Sequence, residues 1–261
     1  HIQYMKWIWG ILQWDLGISL EFQMPVSQLL NERLLMTVLL IAFTIVFTWT
    51  LAVPIGIISA VKQYSIIDYF FTFLSYLGVG TPNFLLALVM MYIVLSQFGL
   101  NVTGLFSTEY IDAPWSFAKL VDMLKHIWVP MVILGTDGTA RLTRIVRANV
   151  LDELTKPYVE TARSKGLKEW KLILKYPVRL GLNPFVSTAG LELAQAFSGS
   201  LIVATVMSLP TIGPLLLRAL LSQDMYMAGS LILITTVMVQ IGVLISDIVL
   251  ALMDPRIRMQ A

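Results

Sequence analysis

The sequence has few charged side chains. Asp, Glu, Lys and Arg make up 13% of its 261 residues, whereas 57% are hydrophobic and the mean hydropathy is +0.78. Soluble domains carry roughly 25% charged residues, and a soluble globule of this size needs more charge to cover its surface. Disordered chains are excluded too, because they are poor in apolar residues. The composition therefore indicates a polytopic membrane protein.

The sequence also lacks the residues and motifs of several chemistries. It contains no cysteine, which excludes disulfide bonds, Cys-ligated zinc, iron–sulfur clusters and thiol nucleophiles. Its two histidines, His1 and His126, lie far apart in the sequence and do not support a metal centre. A net charge of +2 does not indicate nucleic-acid binding. Neither a phosphate-binding G-x-x-x-x-G-K-[ST] loop nor an H-E-x-x-H or G-x-S-x-G motif is present. We therefore expect a non-catalytic translocation subunit with no cofactor of its own.

Apolar runs of spanning length predict an all-α membrane bundle, because about 20 apolar residues cross the hydrocarbon core. Three of the runs are interrupted: the second by the Gly/Pro-containing stretch 78–83, the third by Asp137, Arg141, Arg144 and Arg147, and the fourth by Pro184 and Glu192. The five predicted spans are residues 34–61, 69–98, 127–148, 180–206 and 227–253.

The distribution of Lys and Arg predicts the orientation, because short cytoplasmic loops are rich in both. Eight of the 18 Lys and Arg residues lie in or beside the loop at residues 151–179. Placing that loop in the cytoplasm puts residues 1–33 outside the cell and the C-terminus inside. Residues 1–33 are thus an expected extracytoplasmic segment and residues 34–261 the transmembrane domain. Because the chain starts outside with His1 and no signal segment, we expect that a first helix is missing.

Residues that start and stop helices predict two short helices in the cytoplasmic loop. Pro157 suits the first position of a helix over residues 158–165, and Gly166 suits the left-handed residue that ends it. A second helix, residues 167–176, should carry an apolar face and separate lysines, and the face consists of Leu167, Trp170, Ile173 and Leu174. From the residues alone, two interpretations stay open: a loop that lies on anionic headgroups, or a surface that meets a cytosolic partner.

The same loop carries a family resemblance. The sequence E-T-A-R-S-K-G at residues 160–166, followed by Pro184, resembles the E-A-A-x-x-x-G signature of bacterial ABC importer permeases. The stretches R-L-T-R at 141–144, P-Y-V at 157–159, D-P-R-I-R at 254–258 and W-D-L-G-I-S at 14–19 are similar to the dipeptide/oligopeptide branch of that family. The resemblance runs along the whole chain.

This resemblance implies a fold and a set of partners. It implies the type I ABC importer permease architecture with six helices, of which this chain has five. The loop would be the coupling helix that docks on a cytosolic ATPase subunit, which supplies ATP and Mg²⁺. Further implied partners are the lipid bilayer, a second permease subunit in a heterodimer and an extracytoplasmic solute-binding protein. The implied location is the cytoplasmic (inner) membrane of a bacterium or archaeon, and the implied cargo is peptides or similar small solutes.

The resemblance also assigns residues to the docking site. Glu160 and Ala162 would lie on the docking helix, where the small Ala162 would allow close approach, and Gly166 would make the turn after it. Tyr158 and Thr161 belong to the same expected ATPase-coupling set. The sequence departs from the family pattern at residues 204–213 and 223–226 and at Trp14. These positions lie on the predicted outward side, so they bear on the cargo and not on the importer function.

Polar residues within the spans are candidates for the translocation pathway. Asp137 precedes Arg141 by four residues, which favours an ion pair over a gate. Glu192 is expected to face a cavity; a hydrogen bond to Ser or Thr of another helix and a protonated carboxyl are the alternatives. Asp247 is expected to be structural. The break that contains Gly80, Pro82 and Asn83 could line the pathway or permit close helix packing.

Two other classes of function were weighed against the importer. A secondary transporter or channel would use Asp137, Glu192 and Asp247 as coupling residues, but the sequence lacks inverted halves with matching broken helices. A membrane enzyme is disfavoured because nucleophiles and metal ligands are missing.

Overall fold

A computed structural model describes residues 2–111, 113–183, 195–196 and 199–253, and these residues are mostly helical. An isolated antiparallel bridge between Ile18 and Pro25 is the one strand-like pairing in the described part of the chain. The predicted all-α class is therefore confirmed. The helices are α1 (Ile2–Leu12), α2 (Val26–Val61), α3 (Ile66–Gly80), α4 (Asn83–Phe98), α5 (Phe117–Leu154), α6 (Pro157–Ser164), α7 (Glu169–Lys175), α8 (Pro177–Gly181), α9 (Ile212–Leu221) and α10 (Met225–Met253), with a 3₁₀ turn at Thr108–Tyr110 and a helical run at 199–206.

Local signals explain several helix boundaries. The Ser65 hydroxyl caps α3 by accepting a hydrogen bond from the Asp68 amide. At its other end α3 stops at Gly80, and the predicted break is confirmed because α4 begins only after Pro82. Pro157 occupies the first turn of α6, as predicted.

The spans are confirmed in part. Among the described residues, α2 and α10 are long and apolar enough to cross a membrane, and α3 with α4 would make a third span if they are two halves of one. Helix α5 contains the predicted third span, but its charged residues keep it below the apolar criterion. Residues 184–194 and 197–198 of the predicted fourth span lie outside the described residues. The count of five spans stays a prediction.

The N-terminal segment contains a helix that the sequence analysis missed. Helix α1 exposes apolar side chains, among them Trp9, which is 66% exposed. Helix α2 also begins at Val26, eight residues before the predicted span at residue 34. The expected boundary at residue 33 therefore falls inside a continuous helix.

The chain divides into two compact units. The first unit, His1–Phe43, Asn83–Leu134 and Gln195–Val239, has two buried apolar clusters. Met123 and Ile133 of α5 lie at the centre of one, and Leu30 of α2 packs with Met227 and Leu231 of α10 in the other.

The second unit comprises Thr44–Pro82, Gly135–Ala194 and Gln240–Ala261 and carries α6, α7 and α8. Its core packs the C-terminal half of α2 against α5 through Ala52, Ala60, Leu142 and Val146. The helices approach so closely that a Cβ atom on Gly56 would lie 2.7 Å from Cβ of Val146. This core positions the end of α5, from which the cytoplasmic loop departs.

Candidate functional site

Helix α6 and the turn after it form the centre of the candidate docking site. Helix α6 runs from Pro157 to Ser164, close to the prediction, and the Lys165 amide donates to the Thr161 carbonyl at its end. Gly166 follows with φ of +76°, in the left-handed region that disfavours side chains with a Cβ. A Cβ there would meet no atom within 4 Å. The backbone conformation, and not crowding, therefore favours glycine at position 166.

A small buried cluster holds α6 against α7. Val159 and Ala162 of α6 contact Leu172 of α7, and all three side chains are buried. Tyr158 and Tyr176 pack beside them with ring centroids 6.3 Å apart. Ala162 thus faces the interior of the loop, so its small side chain allows α7 to approach α6. This differs from the expectation that Ala162 would allow a docked subunit to approach.

The opposite face of α6 is open to solvent. The side chains of Glu160, Thr161 and Ser164 are exposed on it. The Thr161 and Ser164 hydroxyls donate to the carbonyls of Pro157 and Glu160, each at 3.0 Å, one turn earlier. The Glu160 carboxylate is therefore the strongest acceptor that this face offers to a partner.

An ion pair bridges the turn between α6 and α7. Nε of Arg163 donates to Oε1 of Glu169 at 2.6 Å, and Nη2 donates to Oε2 at 3.3 Å. The Arg163 guanidinium lowers the pKa of the Glu169 carboxyl below its ordinary value. Because both side chains are exposed, the pair adds little to the stability of the fold.

Tyr158 connects α6 back to the end of α5. Its hydroxyl donates to the Glu153 carboxylate at 2.5 Å. Burial and the Glu153 carboxylate raise the pKa of the Tyr158 hydroxyl, so it remains a hydrogen-bond donor at physiological pH. Tyr158, predicted as a coupling residue, therefore contacts the end of α5 and does not belong to the exposed face of α6.

The predicted apolar face of α7 is half wrong. Leu172 is fully buried, and Leu167 and Ile173 pack against it. Trp170 and Leu174 are instead more than half exposed, at 59% and 53%. The predicted face omits Leu172 because it assumes a helix on a flat membrane surface, whereas α7 packs against α6.

The predicted pair on α5 is confirmed. Nη2 of Arg141 lies 3.7 Å from Oδ2 of Asp137, one turn apart. Asp137 therefore has a charge partner on its own helix.

Near the break between α3 and α4, Gly78 packs closely against another helix, whereas Gly80 has open space around it. A Cβ on Gly78 would lie 2.9 Å from Cβ of Ala140, so the glycine lets α3 approach α5 closely. A Cβ on Gly80 would meet nothing within 4 Å, and Pro82 is exposed. Asn83 begins α4 and is half-buried.

The remaining candidate acids are Asp247 and Glu192. Asp247 is exposed on α10. Glu192 lies outside the described residues, as do Pro184 and residues 254–258, so the cavity-facing expectation for Glu192 stays a prediction.

The sequence analysis missed a buried ion pair between α3 and α5. Nε and Nη2 of Arg147 donate to Oδ1 and Oδ2 of Asp68, both at 2.7 Å. Asp68 is 2% exposed and also accepts from the Tyr64 amide at 2.9 Å. The sequence analysis treats Arg147 only as an interruption of the third apolar run. The available signal was Asp68 itself, a lone acid between two apolar runs.

A second missed network joins two motifs that are distant in the sequence. The Asp224 carboxylate, fully buried, accepts from the Ser19 hydroxyl at 2.5 Å and the Met227 amide at 3.1 Å. The Glu21 amide donates to the same carboxylate at 3.2 Å. Burial raises the pKa of Asp224, but these hydrogen bonds outweigh it and leave the pKa below its ordinary value. The N-terminal motif and the start of α10 are thus held together.

The described residues place the candidate docking surface on the exposed face of α6. No group of three or more His, Asp or Glu side chains within them could hold a metal ion.

Comparison with known proteins gives similar sequences and a similar fold. The chain is 33% identical to the oligopeptide transport system permease protein AppB of Bacillus subtilis (strain 168), over 98% of this chain and 80% of that protein. It is 29% identical to the dipeptide transport system permease protein DppB of Escherichia coli (strain K12), again over 98% and 80%. A chain of the inward-facing methionine ABC transporter MetNI has a TM-score of 0.68 at 14% identity, covering 87% of this chain and 97% of that chain.

The family assignment rests on most of the chain. The sequence model of a protein family, the binding-protein-dependent transport system inner membrane component, matches residues 52–259, which include α6 and Gly166. With the similarity to AppB and the type I permease fold, the alternative of a secondary transporter is not favoured. The chain belongs to the family of binding-protein-dependent transport system inner membrane components.

Proposed function

We propose that this permease subunit imports peptides or similar small solutes and couples to a cytosolic ATPase through the exposed face of α6. The observation that carries the proposal is the way α6 is held: one face packs on Leu172, and the other presents Glu160 and Thr161 to solvent. A displacement of a helix supported in this way is passed to the helix on which it packs.

The proposed coupling proceeds through the loop into the bundle. Closure of the ATPase dimer around ATP and Mg²⁺ displaces α6, and the buried cluster of Val159, Ala162 and Leu172 moves with it. Helix α5 ends at Leu154, only three residues before Pro157, so the displacement passes directly to α5. The spans then tilt between inward-facing and outward-facing states.

The proposed partners follow from the family and from the charge distribution. A second permease subunit completes the pathway as a heterodimer, and a solute-binding protein delivers cargo from outside. The Lys and Arg cluster of the loop at 151–179 supports an orientation with α6 in the cytoplasm, residues 1–33 outside and the C-terminus inside. We assign the assembly to the cytoplasmic membrane of a bacterium or archaeon. The names of the relatives AppB and DppB support a peptide cargo.

The proposed pathway set is Gly80, Pro82, Asn83, Asp137 and Glu192. Of the described members, Gly80 and Pro82 are the most open, because both are exposed at a break in the helices. Asp137 lies near Arg141 and would act as part of that pair.

A pair of substitutions at Gly166 tests the coupling proposal. Both Gly166→Val and Gly166→Asn add a side chain into open space, but only asparagine tolerates a left-handed backbone. The left-handed conformation costs valine roughly 1–2 kcal/mol, which turns α6 away from its docking direction. We expect Gly166→Val to lose ATPase copurification and ATP-driven peptide uptake, and Gly166→Asn to keep both.

The interpretation requires equal amounts of each variant in the membrane, measured by immunoblot. Normal uptake by Gly166→Val at normal expression would contradict the coupling role. Equal loss of uptake in both variants would show that the side chain itself, and not the backbone direction, matters at this position.

A further inference from the structure

The first unit contains an open cavity formed by three separate segments. Its volume is about 840 Å³, and it lies between the start of α2, the loop before α5 and the loop before α9. Small-molecule sites occupy roughly 300–1,000 Å³, so the cavity can hold a short peptide.

Both charged residues in the described part of the cavity lining are cations. Arg33 comes from α2 and Lys119 from the first turn of α5, and no carboxylate is among the described lining residues. Neither cation takes part in the ion pairs found in the described part of the chain. The described part of the lining therefore offers two positive charges and no negative one.

Lys119 is held in place although it is buried. Its side chain is 7% exposed, and its Nζ donates to the carbonyls of Ala113 at 2.5 Å and Ile111 at 3.3 Å. The ammonium group also lies 4.9 Å from the ring centroid of Phe106 and 5.6 Å from that of Trp115. Two carbonyl oxygens and two ring faces thus hold the Lys119 ammonium group in the cavity wall.

Hydrogen bonds fix the loops that form the cavity wall. Asp122 accepts from the Ser107 amide and hydroxyl, both at 2.7 Å. The Gly104 amide donates to the Met207 carbonyl at 2.8 Å and joins the two loops. Next to it, Ser208 lines the cavity with φ of +53°, a strained conformation for a residue other than glycine. The wall is thus pre-organised, as binding sites are.

We propose that this cavity binds the carboxylate end of a peptide on the extracytoplasmic side, with Arg33 as the carboxylate ligand. A guanidinium binds a carboxylate through two parallel hydrogen bonds, and Phe106 and Trp115 provide an aromatic wall for the adjoining side chain. Lys119 adds positive potential from within the wall. This inference rests on the proposed peptide cargo and orientation.

The test measures peptide binding to the assembled permease–ATPase complex in lipid nanodiscs by calorimetry. Three probes separate the charges: trialanine, N-acetyl-trialanine, which keeps the carboxylate, and trialanine amide, which lacks it. We expect the first two to bind and the amide to bind about tenfold more weakly. Equal affinity for trialanine and its amide would overturn the proposal.

Matched variants assign the binding to the cavity. Arg33→Gln removes the proposed ligand, and Lys125→Gln removes one positive charge from an exposed position on α5 outside the lining. We expect trialanine affinity to fall about tenfold in Arg33→Gln and to stay unchanged in Lys125→Gln. If Arg33→Gln instead binds trialanine normally but binds the solute-binding protein weakly, the surface is a protein contact and the proposal is wrong.

Uptake of trialanine by the wild-type importer, measured in parallel, separates this inference from the proposed function. Absence of ATP-driven uptake contradicts the peptide cargo. Uptake together with equal binding by Arg33→Gln and Lys125→Gln contradicts the cavity site alone.

Discussion

The ion pair between Asp68 and Arg147 predicts an asymmetric loss of stability. Asp68 is 2% exposed, whereas the Arg147 side chain is 26% exposed. Removing Arg147 therefore leaves a carboxylate buried in apolar surroundings, but removing Asp68 leaves a cation that can reach water or headgroups.

The magnitudes follow from the partners that remain. In Arg147→Ala, Asp68 keeps only the Tyr64 amide and a long hydrogen bond of 3.4 Å from the Thr72 hydroxyl. Breaking a buried pair from this side costs about 3–5 kcal/mol. Asp68→Ala loses charged hydrogen bonds worth about 1–3 kcal/mol and leaves no unpaired acid. The double variant should cost less than the sum, with a coupling energy of about 2 kcal/mol.

The assay is unfolding of the full chain in mixed detergent micelles, followed by circular dichroism. Asp137→Ala is the matched control, because its pair with Arg141 is 3.7 Å long and about one-third exposed. Its cost should stay below about 1 kcal/mol. The reasoning is refuted if Arg147→Ala costs no more than Asp137→Ala, or if the two single changes at Asp68 and Arg147 add.

Two further predictions concern other contacts. Hydrogen bonds hold the Asp224 pKa below its ordinary value of 3.8, so ionised Asp224 stabilises the fold fully above about pH 4 and progressively less as the pH falls further. The free energy of unfolding should therefore fall less steeply with acid in Asp224→Asn than in the wild type. An unchanged dependence of unfolding on pH would contradict this. Gly78→Ala should destabilise the fold by about 1–3 kcal/mol, because its Cβ would lie 2.9 Å from Cβ of Ala140. Gly80→Ala should be neutral in the same unfolding assay, because its Cβ would meet no atom within 4 Å. Equal effects of the two substitutions would contradict the packing of α3 on α5.

Local features of the chain were predictable from the sequence. Pro157 and Gly166 act on the backbone within a few residues, so the bounds of α6 and the left-handed turn follow from residue type. The break at Gly80 and Pro82 and the pair of Asp137 with Arg141 are equally local. The coupling set itself came from the family resemblance, because the residues alone left a headgroup-bound loop equally open.

Long-range contacts were not predictable in the same way. Asp68 and Arg147 are 79 residues apart, and no periodicity pairs them. Ser19 and Asp224 are 205 residues apart and meet only through packing of the first unit. The buried position of Ala162 also depends on where α7 packs.

The most direct test of ATPase coupling uses the absence of cysteine from the chain. Thr161→Cys places a single thiol on the exposed face of α6, and Lys125→Cys places one on the predicted extracytoplasmic part of α5. In membranes that contain the whole importer, a thiol-to-amine cross-linker should join Thr161→Cys, but not Lys125→Cys, to the ATPase subunit. Free labelling of Thr161→Cys by a thiol reagent, with no ATPase adduct, would contradict docking on α6.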